Sequence, residues 1–140
     1  MKKTYYDTKI LKRPAASFSR AGRITLGDVD IIFISGTASV NAERQSVHAD
    51  NFSRQVYKAY ENIEALLGES GATFKDIVNM TVFLKDIGQY YDEFNRIRDA
   101  FFKRKGIYKS PPTSTCVEAK LCRPELLVEM NAIAIKQRAR

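Results

Sequence analysis

Only two stretches of this chain carry the three-and-four spacing of an amphipathic helix, and that scarcity limits the architectures open to it. In the first, Phe52, Val56, Tyr60, Ile63 and Leu67 form one stripe that starts after a cap at Asp50 and stops at Gly68 and Gly71. In the second, Phe94, Ile97 and Phe101 mark a stripe from about Gln89 to Lys105, closed by Gly106. Most of the remainder reads as strand. SFSRAGRITL and DIIFIS flank the turn GDVD and should pair as a hairpin. DIVNMTVFLKD, residues 76 to 86, follows the first helix closely, which predicts a β-α-β unit with a parallel pairing. Two more strands, about 113 to 121 and 126 to 136, close the chain around a break at Pro124. Two helices cannot cover both faces of such a sheet. They are expected on one face, giving a two-layer α+β sandwich.

The other face then needs a cover. Alternation sends Thr115, Val117, Ala119 and Leu121 one way, and Ser114, Cys116, Glu118 and Lys120 the other. The first set is assigned to the helix side and the second to the open face. That makes the open face mixed in character and suited to a subunit interface with clefts.

The chain has 140 residues with 44% hydrophobic content, enough for one core and one domain over 1–140. Residues 1–13 are a basic lead and 137–140 a basic tail. No apolar run is long enough to span a bilayer, and MKKTYYDTKILKRP lacks the apolar segment of a secretory signal. A soluble, cytoplasmic protein is expected. The net charge of +7 sits at the ends: residues 24–135 hold 13 basic and 15 acidic side chains. With no basic groove and no nucleic-acid-binding motif, specific nucleic-acid binding is not expected. Cys116 and Cys122, on one strand, would stand roughly 20 Å apart, too far for a disulfide. Two cysteines and the single His48 make no recognisable zinc site, so no metal is expected.

One residue stands out chemically. Glu129 interrupts the apolar run LLVEMNAIAI, and an unpaired carboxylate buried there would cost several kcal/mol. Either a lysine or arginine pairs with it, or it works in a site where burial raises its pKa.

Four blocks in order, FISGTASV, HADNFSRQVYKAYENIEALLGESGATFKDIVNMTVFLKD, FNRIRDAFF and CVEAKLCRPELLVEMNAIA, give the chain its resemblance to the YjgF/RidA family, also called endoribonuclease L-PSP, over residues 14 to 136. The resemblance implies a chorismate mutase-like, RidA-like sandwich, a homotrimeric barrel, and three ligand clefts between subunits. It implies cofactor-free hydrolysis of 2-imino acids to 2-oxo acids and ammonia, with an arginine clamping the substrate carboxylate and a glutamate orienting water. Glu129 matches the glutamate. Cys116 matches the cysteine lining the cleft, Ser35 and Gly36 the Ser-Gly turn, and Asn95 the asparagine of the second helix. Phe18 stands where deaminases usually have tyrosine.

A second departure from the pattern bears more on function. Where deaminases carry the clamping arginine, this chain has Ser114. Losing a bidentate arginine–carboxylate pair would weaken capture of a small imino acid roughly a hundredfold. Either another arginine reaches in, with Arg20 the nearest candidate, or the ligand differs. Two alternatives to a deaminase-type hydrolase follow: a non-catalytic metabolite sensor, and a hydrolase like the chorismatases, whose RidA-like half FSRA and SGTASV also resemble. In each case the ligand is expected to be a small carboxylate. Cys116 has no base nearby in sequence and reads as a cleft-lining thiol. Ser35 lacks a nucleophile-elbow setting and reads as a polar turn contact. Asn95 and Arg98 share a helix face, facing a ligand, a neighbouring subunit or solvent.

Overall fold

The computed structural model describes residues 1–139; Arg140, the end of the basic tail, lies outside them. Six strands form one sheet in the order β1-β2-β3-β6-β4-β5, and two helices lie against one face of it. The strands are β1 (Lys2–Tyr6), β2 (Ala21–Leu26), β3 (Val29–Ala38), β4 (Ile77–Leu84), β5 (Thr113–Glu118) and β6 (Val128–Gln137). The helices are α1 (Phe52–Glu69) and α2 (Ile87–Lys105). The α+β class and the one-sided helix layer agree with the sequence reading.

Three local expectations need correction. The basic lead is partly strand, since β1 pairs antiparallel with β2 from Lys2↔Thr25 to Tyr6↔Ala21. No parallel pair spans α1, because β6 lies between β3 and β4 and pairs antiparallel with both. The parallel pair is β4 with β5, across α2. The cap of α1 is Asn51, not Asp50. Asp50 sits at φ 59, whereas Asn51 is extended and its side chain accepts the Arg54 N–H at 3.1 Å.

The core lies between sheet and helices. All five residues of the α1 stripe are buried, as are Phe94 and Phe101 of α2. They meet Ile32 and Ile34 of β3, Met80, Val82 and Leu84 of β4, and Val128, Met130, Ala132 and Ala134 of β6. Two buried polar side chains on α1 tie the helix to the loops around the site. Gln55 donates to the carbonyls of His48 and Glu125 and accepts the Leu127 N–H. Asn62 donates to the carbonyls of Ala38 and Val40, at and beyond the end of β3.

The opposite face has no helix over it. Phe33 and Ile135 are each 45% exposed there, with Tyr5, Leu26 and Val117 also exposed. No helix in the described residues is long and apolar enough to cross a membrane.

Candidate functional site

The site begins with an irregularity in β3. Between Ile34↔Ala132 and Thr37↔Met130 the register slips, so Ser35 and Gly36 stand opposite Asn131 alone. This is a β-bulge inside a strand, not the strand-ending turn read from the sequence. Bulges bend a strand and re-aim its side chains. Thr37 is turned to the core, and its hydroxyl donates to the Ser35 carbonyl. The Ser35 hydroxyl donates to the Ser19 carbonyl at 2.6 Å, and the Ser35 N–H to the Arg20 carbonyl at 3.0 Å. Ser35 therefore holds the segment that carries Phe18 and Arg20, and among the described residues it hydrogen-bonds no base that would make it a nucleophile.

Gly36 provides room for Glu129. A Cβ at position 36 would lie 3.0 Å from Cδ and Oε2 of Glu129 and 3.3 Å from Oε1. The Glu129 carboxyl thus rests directly on the glycine backbone. It is half-buried, and no salt bridge or hydrogen bond from a described residue holds it. Burial alone pushes its pKa above the ordinary value. The pairing to a lysine or arginine considered from the sequence is absent among the described residues.

Around this carboxyl is a cavity of about 430 Å³, lined in part by Phe18, Arg20, Arg44, Cys122 and Arg123. Arg20 is 8% exposed. Its Nε donates to the Lys12 carbonyl at 3.0 Å, and its guanidinium lies 5.7 Å from the Phe18 ring centre. Burial, with Arg123 and Arg44 nearby, pushes the Arg20 pKa down, and no carboxylate pairs with it in the described residues. Arg44 donates to the Arg13 carbonyl and Arg123 to the Ser46 hydroxyl, so three guanidiniums line one cavity through neutral contacts. Arg44 and Arg123 were not singled out from the sequence. They come from loops far apart along the chain, and only the fold joins them.

Ser114, Cys116 and Asn95 are elsewhere. β5 pairs with β4 as Met80↔Ser114, Val82↔Cys116 and Leu84↔Glu118. Met80, Val82 and Leu84 point into the core, so Ser114, Cys116 and Glu118 share the helix side. The face assignment made from alternation is therefore inverted. Contacts agree with this: Arg98 of α2 donates to the Ser114 hydroxyl at 3.3 Å, and Glu118 accepts the Ile87 N–H at 3.2 Å. Glu129 follows the other phase. It lies between the buried Val128 and Met130 and pairs with Phe83, so it faces the open side.

Asn95 accepts a hydrogen bond from Arg98 at 2.8 Å, which aims the guanidinium at Ser114. Burial pushes the Cys116 thiol up, opposed in part by the Arg98 charge. A thiol so placed is a weak nucleophile. Among the described residues, no group of three or more His, Cys, Asp or Glu side chains could hold a metal ion.

The sequence profile described as Endoribonuclease L-PSP matches residues 10–136. The chain belongs to that family. A RutC family protein of Pyrococcus abyssi is 30% identical over 137 residues, covering 98% of this chain and all of that protein. The 2-iminobutanoate/2-iminopropanoate deaminase of Escherichia coli is 30% identical over 124 residues, 89% of this chain and 92% of that one. Among solved structures, the YjgF gene product of E. coli superposes with a TM-score of 0.80 at 25% identity, over 96% of this chain and 99% of that one.

Proposed function

We propose that this chain is a small-molecule hydrolase of the imine-deaminase type, acting on a carboxylate ligand in a cleft shared by two copies of the chain. The observation that carries the reading is the Glu129 carboxyl: half-buried, unpaired among the described residues, seated against Gly36, and facing an arginine-lined cavity. A carboxyl whose pKa is raised by burial holds a proton more readily than a free one, and so is suited to pass a proton in both directions. Glu129 takes a proton from water as its oxygen bonds to the imine carbon. Glu129 passes that proton to nitrogen, then moves the proton of the new hydroxyl to the amine as the C–N bond breaks, and the carbinolamine collapses to a 2-oxo acid and ammonia. Arg20, with Arg123 and Arg44, draws the substrate anion to this wall.

A single copy supplies only half of the cleft. Glu129 faces the open side of the sheet, while Ser114, Cys116 and Asn95 sit on the helix side. Side chains on opposite faces of one sheet cannot line one cavity. Two copies packed around a cyclic axis bring the two sets together, and three copies close the ring. The exposed Phe33, Ile135, Leu26 and Val117 supply the apolar surface for that contact.

Incubation with freshly generated 2-iminobutanoate should release ammonia faster than buffer does. A rate equal to buffer for this imine and for 2-iminopropanoate would remove the reading. Gly36→Ala is a second check. The added methyl forces the Glu129 carboxyl away while displacing only a flexible side-chain end. Turnover is expected to fall at least roughly tenfold, since a misplaced group near 1 Å out of position can cost about a hundredfold. Melting should change little. Unchanged turnover would show that the carboxyl position does not matter.

A further inference from the structure

Behind Ser114, between α2 and the β4–β5 pair, is a second cavity of about 170 Å³. Its walls include Tyr60, Met80, Val82, Phe94 and Phe102, which is an apolar lining. An apolar cavity of about 150 Å³ accepts a benzene-sized guest. Tyr60 is 1% exposed, and its buried hydroxyl has no hydrogen-bond partner among the described residues. Arg98 and Ser114 line this cavity and also the open depression beside Cys116, so both residues stand at the boundary between the two.

Arg98 is held there by neutral groups only. It donates to Asn95 and Ser114, and its guanidinium lies 5.2 Å from the Phe94 ring centre. Two of its five N–H groups are thus used. It forms no ion pair with any described carboxylate. Asp99 lines the same cavity but is exposed and makes no salt bridge with it. A fixed, unpaired guanidinium beside a benzene-sized apolar hole is matched by an acid with an apolar ring.

We infer that Arg98 and the cavity behind Ser114 bind a small aromatic monocarboxylate, its carboxylate on Arg98 and its ring among Met80, Val82, Phe94 and Phe102. A serine at position 114 leaves the mouth open and the guanidinium within reach. For its link to catalysis the inference rests on the Glu129 reading; for binding it does not.

Calorimetric titration with phenylacetate and with acetate tests it on the full chain. Phenylacetate should bind at least about tenfold more tightly than acetate, because the ring leaves water. Arg98→Gln should weaken phenylacetate roughly tenfold to a hundredfold, the loss of a charge-assisted contact. Ser114→Phe, at an exposed position, should plug the mouth and remove the preference for the ring. Asp99→Asn should strengthen binding by taking a like charge from the rim. Equal binding of the two acids, no binding of either, or phenylacetate binding untouched by Arg98→Gln and Ser114→Phe would overturn it. If Glu129→Gln abolishes turnover while Arg98→Gln leaves phenylacetate binding intact, the inference falls and the Glu129 reading stands. The reverse pattern supports the inference and removes that reading.

Discussion

Glu129→Gln should lower imine hydrolysis by roughly a hundredfold to ten-thousandfold, the range general acid–base groups contribute, and should make the fold more stable at alkaline pH. The two effects share one cause. The carboxyl is half-buried with no partner among the described residues, so the fold favours its protonated form. The unfolded chain ionises near the ordinary value of 4.5. The folded state therefore binds more protons, and stability falls as pH rises from the unfolded pKa through the raised folded one. Glutamine has the same shape and no charge to desolvate. The variant should melt above wild type at pH 8 and level with it at pH 4. Thermal melts at the two pH values, with ammonia release measured on the same samples, check both halves. A variant that keeps its turnover, or one less stable than wild type at pH 8, would place Glu129 in an ordinary structural pairing.

The residues that announced themselves in the sequence were those governed by local periodicity. The α1 and α2 stripes and the central strands are legible because a period of 3.6 or 2 writes burial directly into the residue order. Glu129 is legible because a carboxylate among β-formers has few cheap explanations. What the chain hid was non-local. β1, KKTYY, has strand residues but no apolar stripe, and it becomes a strand only because β2 offers an edge. The place of β6 between β3 and β4 depends on which strand brings apolar side chains to the helix face at every second position. β6 does so with Val128, Met130, Ala132 and Ala134.

The β5 face was misread for a related reason. Both of its alternate sets are mixed in polarity, so composition gives no direction. Register with Met80, Val82 and Leu84 does. Arg98 was visible as a residue sharing a face with Asn95. Its contact with Ser114, 16 positions on, follows only from the packing of α2 over β5. Arg20 was anticipated as a substitute for the missing arginine, and it lines the Glu129 cavity with Arg44 and Arg123. The bulge at Ser35–Gly36 reads in sequence like a turn because small residues serve both purposes.

Two inactive variants should restore each other's activity. Glu129→Gln removes the acid from one wall, and Ser114→Trp blocks the other wall with a bulky side chain at an exposed position. Each assembly of a single variant has every cleft damaged and is expected to lose at least roughly a hundredfold in turnover. In assemblies formed by co-expressing the two in equal amounts, each cleft draws its walls from different copies. Random mixing leaves about a quarter of the clefts with both walls intact. The double variant Glu129→Gln/Ser114→Trp, carrying both lesions in one copy, serves as the control and stays inactive alone. Ammonia release by the mixture near a quarter of the wild-type rate, with mixed assemblies seen by native mass spectrometry, is the expected result. Mixed assemblies that form and yet stay as inactive as either variant alone would show that no cleft is built from two copies.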